Sequence, residues 1–178
     1  MREEIKELIS EEQVNTRIKE LGERISKDYA GKSVHLVCIL KGACLFMCEL
    51  AKRIEVPVSM DFMTVSSYGS GTKSTGVVRI RKDLDDPIKD LHVLIVEDIV
   101  DSGRTLAYLG EVFRDRGCAS VRTCTLLDKP ERRVVDLKVD YTGFEIPDQF
   151  VVGYGMDYDQ RYRDLPFIGV VNFVEDEQ

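Results

Sequence analysis

Glu97, Asp98 and Asp101 fall close together and are followed at once by Ser102, Gly103, Arg104 and Thr105. Two neighbouring carboxylates are natural partners for sugar hydroxyls or for a hydrated divalent cation. Gly103 permits close backbone approach, Ser102 and Thr105 offer hydroxyls, Arg104 adds positive charge, and free amides at a helix start favour an anion. A phosphate suits that half of the segment. Asp101 lies between the sugar-like and phosphate-like halves, where it could act as a base toward whatever occupies the middle. The plainer alternative is a strand-turn-helix in which Asp101 or Ser102 caps the helix and the two acids are solvated.

The elements around these residues would position them. The run VLIV at 93–96 describes a buried strand, the acids fall where it should emerge, and 101–105 forms a turn opening a helix. Side chains alternate along a strand, so Glu97 and Asp98 reach one ligand only where the backbone turns at its carboxyl end. Upstream, Ser10-Glu11-Glu12-Gln13 has the form of a capping box, and Val14, Ile18, Leu21 and Ile25 recur at helical spacing toward 29–31. A strand over 34–40, a break at Lys41-Gly42 and helical spacing over 43–54 follow. Pro57 precedes a strand running to about Ser66, the Gly/Ser/Thr-rich stretch 67–76 reads as a mobile loop, and 77–81 reads as a strand leaving it. Residues 120–127 form another strand, and Lys129-Pro130 begins a polar connection.

Strands and helices that alternate, with continuously apolar strands, predict an α/β fold with a mostly parallel central sheet flanked by helices. Ligands of such sheets gather at the carboxyl ends of the strands, where Leu40-Lys41-Gly42, the 97–105 loop and Asp128-Lys129 would converge. No repeat or linker divides the chain, so 1–178 is taken as one domain, with the stretch from Phe150 onward folding back over the main sheet.

At 178 residues with a net charge of -7, the chain is large enough for a proper core and lacks the basic footprint of a general nucleic-acid or membrane-surface binder. Five cysteines without a signal-peptide pattern fit reduced thiols, and no apolar run approaches the ~20 residues of a membrane span. A cytoplasmic protein is expected.

The segment at 93–106, VLIVEDIVDSGRTL, resembles the phosphoribosyl-pyrophosphate signature of type I phosphoribosyltransferases, in the hypoxanthine-guanine branch. Three further pieces resemble that branch in order: Leu40-Lys41-Gly42, Ser67-Tyr68 ahead of the loop, and the run from Phe150-Val151-Val152-Gly153-Tyr154 through Asp157-Tyr158 to Arg163-Asp164. The resemblance implies that family's fold with a small hood formed by the terminal segments, and transfer of a 5-phosphoribosyl group to N9 of hypoxanthine or guanine. It implies that Glu97 and Asp98 hold the ribose hydroxyls and the shell of a magnesium ion, while Ser102, Gly103, Arg104 and Thr105 wrap the 5-phosphate. Asp101 would face purine N7 as general base or orienting partner. Lys129 would donate to the 6-oxo group, Phe150 would stack on the ring, Val151 would meet its polar edge through the backbone, and Asp157 would contact a second magnesium and the 2-substituent. Lys41, Gly42 and Arg163 would hold pyrophosphate, after a peptide that is often cis in the family, and Ser67 and Tyr68 would belong to a lid. Homodimers or homotetramers are common in the family.

Two departures from the family's pattern bear on the site: Pro130 directly follows Lys129 and drives it toward extended geometry, and Pro166-Phe167 follow Arg163 where relatives vary. Rival readings are weaker. The stretch 69–74 evokes a nucleotide-binding P-loop, but Thr72 and Ser67 stand where that motif needs glycine. An RNA-binding regulator on the same fold would need a basic surface that the composition does not favour. Cys44 and Cys48, one helical turn apart, read as packing rather than zinc ligands, and His35 and His92 as structural. The first helix presents an apolar stripe for core or subunit contact, and 175–177 is an acidic, solvated tail.

Overall fold

The capping box forms as the sequence predicts. Ser10 Oγ accepts from Gln13 N at 3.2 Å, Gln13 Oε1 accepts from Ser10 N at 2.9 Å, and helix α1 (Glu11–Asp28) starts there. Its stripe of Val14, Ile18, Leu21 and Ile25 is buried in the core. The structure, a computed structural model, describes residues 2–67 and 78–174. Tyr68, most of the expected lid loop and the acidic ending lie outside the described residues.

After α1 the chain runs through β2 (Val34–Leu40), α2 (Cys44–Ala51), β3 (Val58–Ser67), β4 (Val78–Lys82), β5 (His92–Val100), α3 (Arg104–Asp115), β6 (Ser120–Asp128), a short 3-10 turn (Pro130–Arg132) and β7 (Tyr141–Glu145). These strands form a six-stranded sheet in the order β4-β3-β2-β5-β6-β7, parallel except for β4. The residues VHLVCI of β2 and VLIV of β5 are buried on both faces, as central parallel strands must be. One core cluster joins the sheet to α1 and α2, and a second, around Val37, Ile95, Leu109 and Phe113, joins it to α3.

A smaller antiparallel sheet is built from β1 (Arg2–Ile9), β9 (Ile168–Val174) and β8 (Val151–Val152), in the order β1-β9-β8. It is the hood expected of the terminal segments, and both ends of the chain contribute to it. Strand β1 was not anticipated, because REEIKELI offers little apolar alternation and its pairing partner lies at the far end of the chain. Strand β7 was also missed; it is short and rests on the edge of β6.

Two expectations need adjusting. The strand carrying the acids does not end at Glu97 but continues, paired with β6, to Val100 opposite Asp128. On its other side the pairing with β2 stops at Cys38 opposite Val96, so β5 leaves its neighbour one residue before the acids. They emerge from the sheet along that open side. The helix over 43–54 is shorter than predicted, since α2 stops at Ala51 and loose turns carry the chain to β3.

Candidate active site

At the carboxyl edge of the parallel strands lies a cleft of about 360 Å³ that brings together Lys41 and Gly42, Glu97 and Asp98, the loop of Asp101, Ser102 and Gly103, and Thr105 of α3, with Asp157 and Arg163 from the chain before the hood's last strand. The floor is the acid pair. Asp98 Oδ1 accepts from Ile99 N at 2.8 Å. Burial raises the pKa of both carboxyls, most strongly for Glu97, where the neighbouring Asp98 charge adds to the effect; for Asp98, hydrogen bonds and the Arg163 charge oppose the rise. Two adjacent, poorly solvated acids gain from any cation or hydroxyl donor that enters.

The peptide between Leu40 and Lys41 is cis, and Gly42 follows directly against the acid pair. A Cβ placed on Gly42 would lie 1.7 Å from Asp98 Oδ2, so only glycine lets this turn close on the carboxylate. Against the Gly42 turn packs Gly155, where a Cβ would lie 2.0 Å from Gly42 O, and Arg163 Nη1 donates to Gly155 O at 2.7 Å while its Nη2 pairs with Asp157 at 2.8 Å. Asp157 also accepts from Gln160 N at 2.8 Å, and Lys41 Nζ donates to Gln160 Oε1 at 3.3 Å. Two cations thus overlook one end of the cleft.

At the other end the 101–103 loop opens α3. Gly103 adopts φ 82°, a left-handed conformation that favours glycine, and a Cβ there would meet Arg133 Cδ at 2.9 Å. The N-cap residue, Gly103, makes no side-chain cap, and among the described residues the side-chain acceptor at the helix start is Ser102 Oγ, which takes a long hydrogen bond of 3.4 Å from Arg104 N. The first-turn amides remain available to an anion. Arg104 is exposed and lies outside the cleft lining, whereas Ser102, Gly103 and Thr105 belong to it.

The remaining candidates, Lys129, Phe150 and Val151, are not among the residues that line this cleft. Lys129, after β6, is 7% exposed, and Phe150, before β8, is 52% exposed, with its ring edge-to-face with Tyr158 at 5.6 Å. Val151 is buried and pairs with Val170 in the hood. An ion-pair chain runs from Asp101 through Arg132 and Asp148 to Lys129. Ser67 pairs with Val78 through the backbone, and Tyr68 lies outside the described residues.

A family described as the phosphoribosyl transferase domain matches residues 4–159, most of the chain. The chain belongs to that family. This phosphoribosyl transferase is 52% identical over 166 residues to the hypoxanthine-guanine phosphoribosyltransferase of Bacillus subtilis, covering 93% of this chain and 92% of that one. It is 53% identical over 164 residues to the enzyme of the same name from Streptococcus thermophilus, covering 92% and 91%. Among solved structures, a hypoxanthine-guanine phosphoribosyltransferase from Bacillus anthracis superposes with a TM-score of 0.91 at 47% identity, over 95% of this chain and all of that one. A hypoxanthine phosphoribosyltransferase from Staphylococcus aureus gives 0.90 at 49% identity, over 94% and 91%. Nothing in these matches supports the RNA-binding reading.

Sequence reasoning overlooked several residues of the transferase that touch its site. Arg132 and Asp148 join Asp101 to Lys129, and Arg133 pairs with Asp128 while its side chain covers Gly103. The only signal was the Glu131-Arg132-Arg133 cluster directly after Lys129-Pro130. The histidines and cysteines find ordinary structural surroundings. His35 and His92 contact Ser59 and Ser120 on neighbouring strands at 2.7 and 2.8 Å, and burial holds the Cys48 thiol above its usual pKa. No group of three metal-ligating side chains occurs among the described residues, and no helix among them is long and apolar enough to cross a membrane.

Proposed function

We propose that this chain transfers the 5-phosphoribosyl group of phosphoribosyl pyrophosphate to N9 of hypoxanthine or guanine, releasing pyrophosphate in a purine salvage reaction. The observation that carries the reading is one cleft lined by a carboxylate pair, a helix start and two cations, in a chain about half identical to hypoxanthine-guanine phosphoribosyltransferases.

The parts divide the work as follows. The first-turn amides of α3, with Ser102, Gly103 and Thr105, take the 5-phosphate, with Arg104 adding positive charge beyond it. Glu97 and Asp98 hold the ribose hydroxyls. Lys41, the Gly42 turn and Arg163 receive the leaving pyrophosphate, whose growing negative charge they stabilise. The anomeric carbon develops oxocarbenium-like charge between these groups, so the acceleration comes chiefly from positioning and charge stabilisation. Asp101 stands at the mouth of the same loop, where it accepts a proton or hydrogen bond from N7 of the incoming base. Lys129 donates to the 6-oxo group, Phe150 stacks on the ring, and backbone groups at Val151 and near Asp157 read its far edge. A 6-amino group would oppose one donor with another and is disfavoured. Ser67 and Tyr68 belong to a lid that keeps water from the donor.

The donor set suits magnesium. Glu97 and Asp98 offer hard oxygen ligands, and an ion that ordinarily keeps waters and substrate phosphates needs no third protein ligand. When bound, it supplies positive charge that neutralises the leaving pyrophosphate. Asp157 would take a second ion only in exchange for part of its contact with Arg163. As in many of its family, the chain would act as a cytoplasmic homodimer or homotetramer.

The test is direct. Purified protein is given phosphoribosyl pyrophosphate and magnesium with hypoxanthine, guanine, xanthine, adenine or uracil in turn, and nucleotide is measured. Product from the first two and little from adenine is expected; no 6-oxopurine nucleotide would overturn the assignment. Asp101→Asn should lower turnover strongly while donor binding persists.

A further inference from the structure

Arg132 and Asp148 have no part in the mechanism above, yet they link the two side chains assigned to the base. Arg132 Nε donates to Asp101 Oδ1 at 2.9 Å, and Arg132 Nη1 donates to Asp148 Oδ2 at 3.1 Å. The other Asp148 oxygen accepts from Lys129 Nζ at 3.3 Å. Charges alternate along this chain, and every link uses a different atom. Among the described residues, Asp101 Oδ2 accepts no hydrogen bond, and Lys129 Nζ donates only to Asp148. Each base-facing group is therefore held by one atom or proton and keeps another for a ligand.

An isolated exposed ion pair would contribute little, and Arg132 and Asp101 have side chains 53% and 47% exposed. This chain differs because it ties together three separate segments: the loop after β5, the 3-10 turn after β6 and the connection before β8. Pro130 and Pro147 restrict the backbone beside two of the anchor points.

We propose that Arg132 and Asp148 are positioning residues that set the polarity of the base pocket. Arg132 holds one Asp101 oxygen and leaves the other to accept from the base, and Asp148 holds Lys129 Nζ as a donor at the adjoining edge. Together they favour a purine with an acceptor at position 6 and a proton near N7. The inference rests on the transfer reaction proposed above.

Arg132→Met, Arg132→Lys, Asp148→Asn and the double variant Arg132→Met/Asp148→Asn separate these roles when hypoxanthine and phosphoribosyl pyrophosphate are varied independently. Arg132→Met should lower kcat about tenfold with the donor KM unchanged, as loss of a networked partner does. Asp148→Asn should raise the hypoxanthine KM, and Arg132→Lys should recover most of the lost turnover. The double variant should combine the kcat of Arg132→Met with the hypoxanthine KM of Asp148→Asn and lose no more in either. A single variant in which kcat and both KM values shift together, an Arg132→Met enzyme equal to wild type, or donor and base KM values that rise together would overturn the positioning role while leaving the transfer reaction standing. A wild-type protein inactive with every 6-oxopurine would overturn both.

Discussion

Replacing Gly42 by alanine tests the site where its packing is tightest. The new Cβ would lie 1.7 Å from Asp98 Oδ2 and 2.6 Å from Asp98 Cγ, against a floor of 3.0 Å that real Cβ contacts respect. The difference, 3.0 − 1.7, means that the oxygen or the turn must retreat by about 1.3 Å. Neither yields easily. Asp98 is tied through Oδ1 to Ile99 N at 2.8 Å, its strand is paired with β6 through Val100, and the turn is continuous with β2. Overpacking of this kind costs about 1–3 kcal/mol. At ~2–4 °C per kcal/mol for a domain of this size, Tm should fall by roughly 2–12 °C. The functional loss should be larger, because a ~1 Å misplacement of a positioning group can cost on the order of a hundredfold. Steady-state kinetics with phosphoribosyl pyrophosphate as the varied substrate, beside a thermal melt, would measure both. Gly110→Ala is the control: its Cβ meets only the Arg114 guanidinium, at 3.4 Å, and alanine in a helix should add about 0.5–1 kcal/mol. A Gly42→Ala enzyme with unchanged Tm and donor kinetics would refute the close approach of the turn to the carboxylate.

Other consequences are as open to measurement. Glu97 has a folded-state pKa above its usual 4.5, so the stability it lends is present below about pH 4.5 and lost as pH rises through the higher folded value. Glu97→Gln removes that dependence, and the Tm of the variant minus that of wild type should climb from acid toward neutral pH; a flat or falling difference would contradict the raised pKa. Ser10→Ala breaks the capping box and should cost about 1 kcal/mol, read as a Tm about 2–4 °C lower. Phe150→Ala removes a half-exposed ring and should raise the purine KM by roughly tenfold, within the ~1–3 kcal/mol of base stacking, with the donor KM unmoved.

The parts of the fold that could be read in advance were those whose signals are local. The capping box at Ser10, the apolar runs of β2 and β5 and the turn at Gly103 carry their information within a few residues, and each forms where expected. Strand β1 carries almost none, since it is a strand only because β9 pairs with it, Arg2 opposite Val174. The same division runs through the cleft. Glu97, Asp98 and Asp101 stood out through their spacing and resemblance to a signature, whereas Arg132 and Asp148 belong to polar connections and gain meaning only when the fold sets them beside Asp101 and Lys129. Arg104 stands in the signature yet lies outside the cleft lining, because spacing along a helix does not reveal which side of its first turn faces the ligand.

The hood has a consequence for how the protein comes into being. Synthesis runs from the amino to the carboxyl end, and Val151 pairs with β9, whose residues 168–174 are made after every other described strand. Strand β1 must wait for the same partner until all the elements between them have been made. By then the strands and helices over 34–128, with the acid pair and the phosphate-sized loop, have all been made and can already pack on one another. A nascent chain stalled shortly before residue 168 would therefore hold a nearly complete sheet and half a cleft, with its charged leading strand still searching for an edge to join.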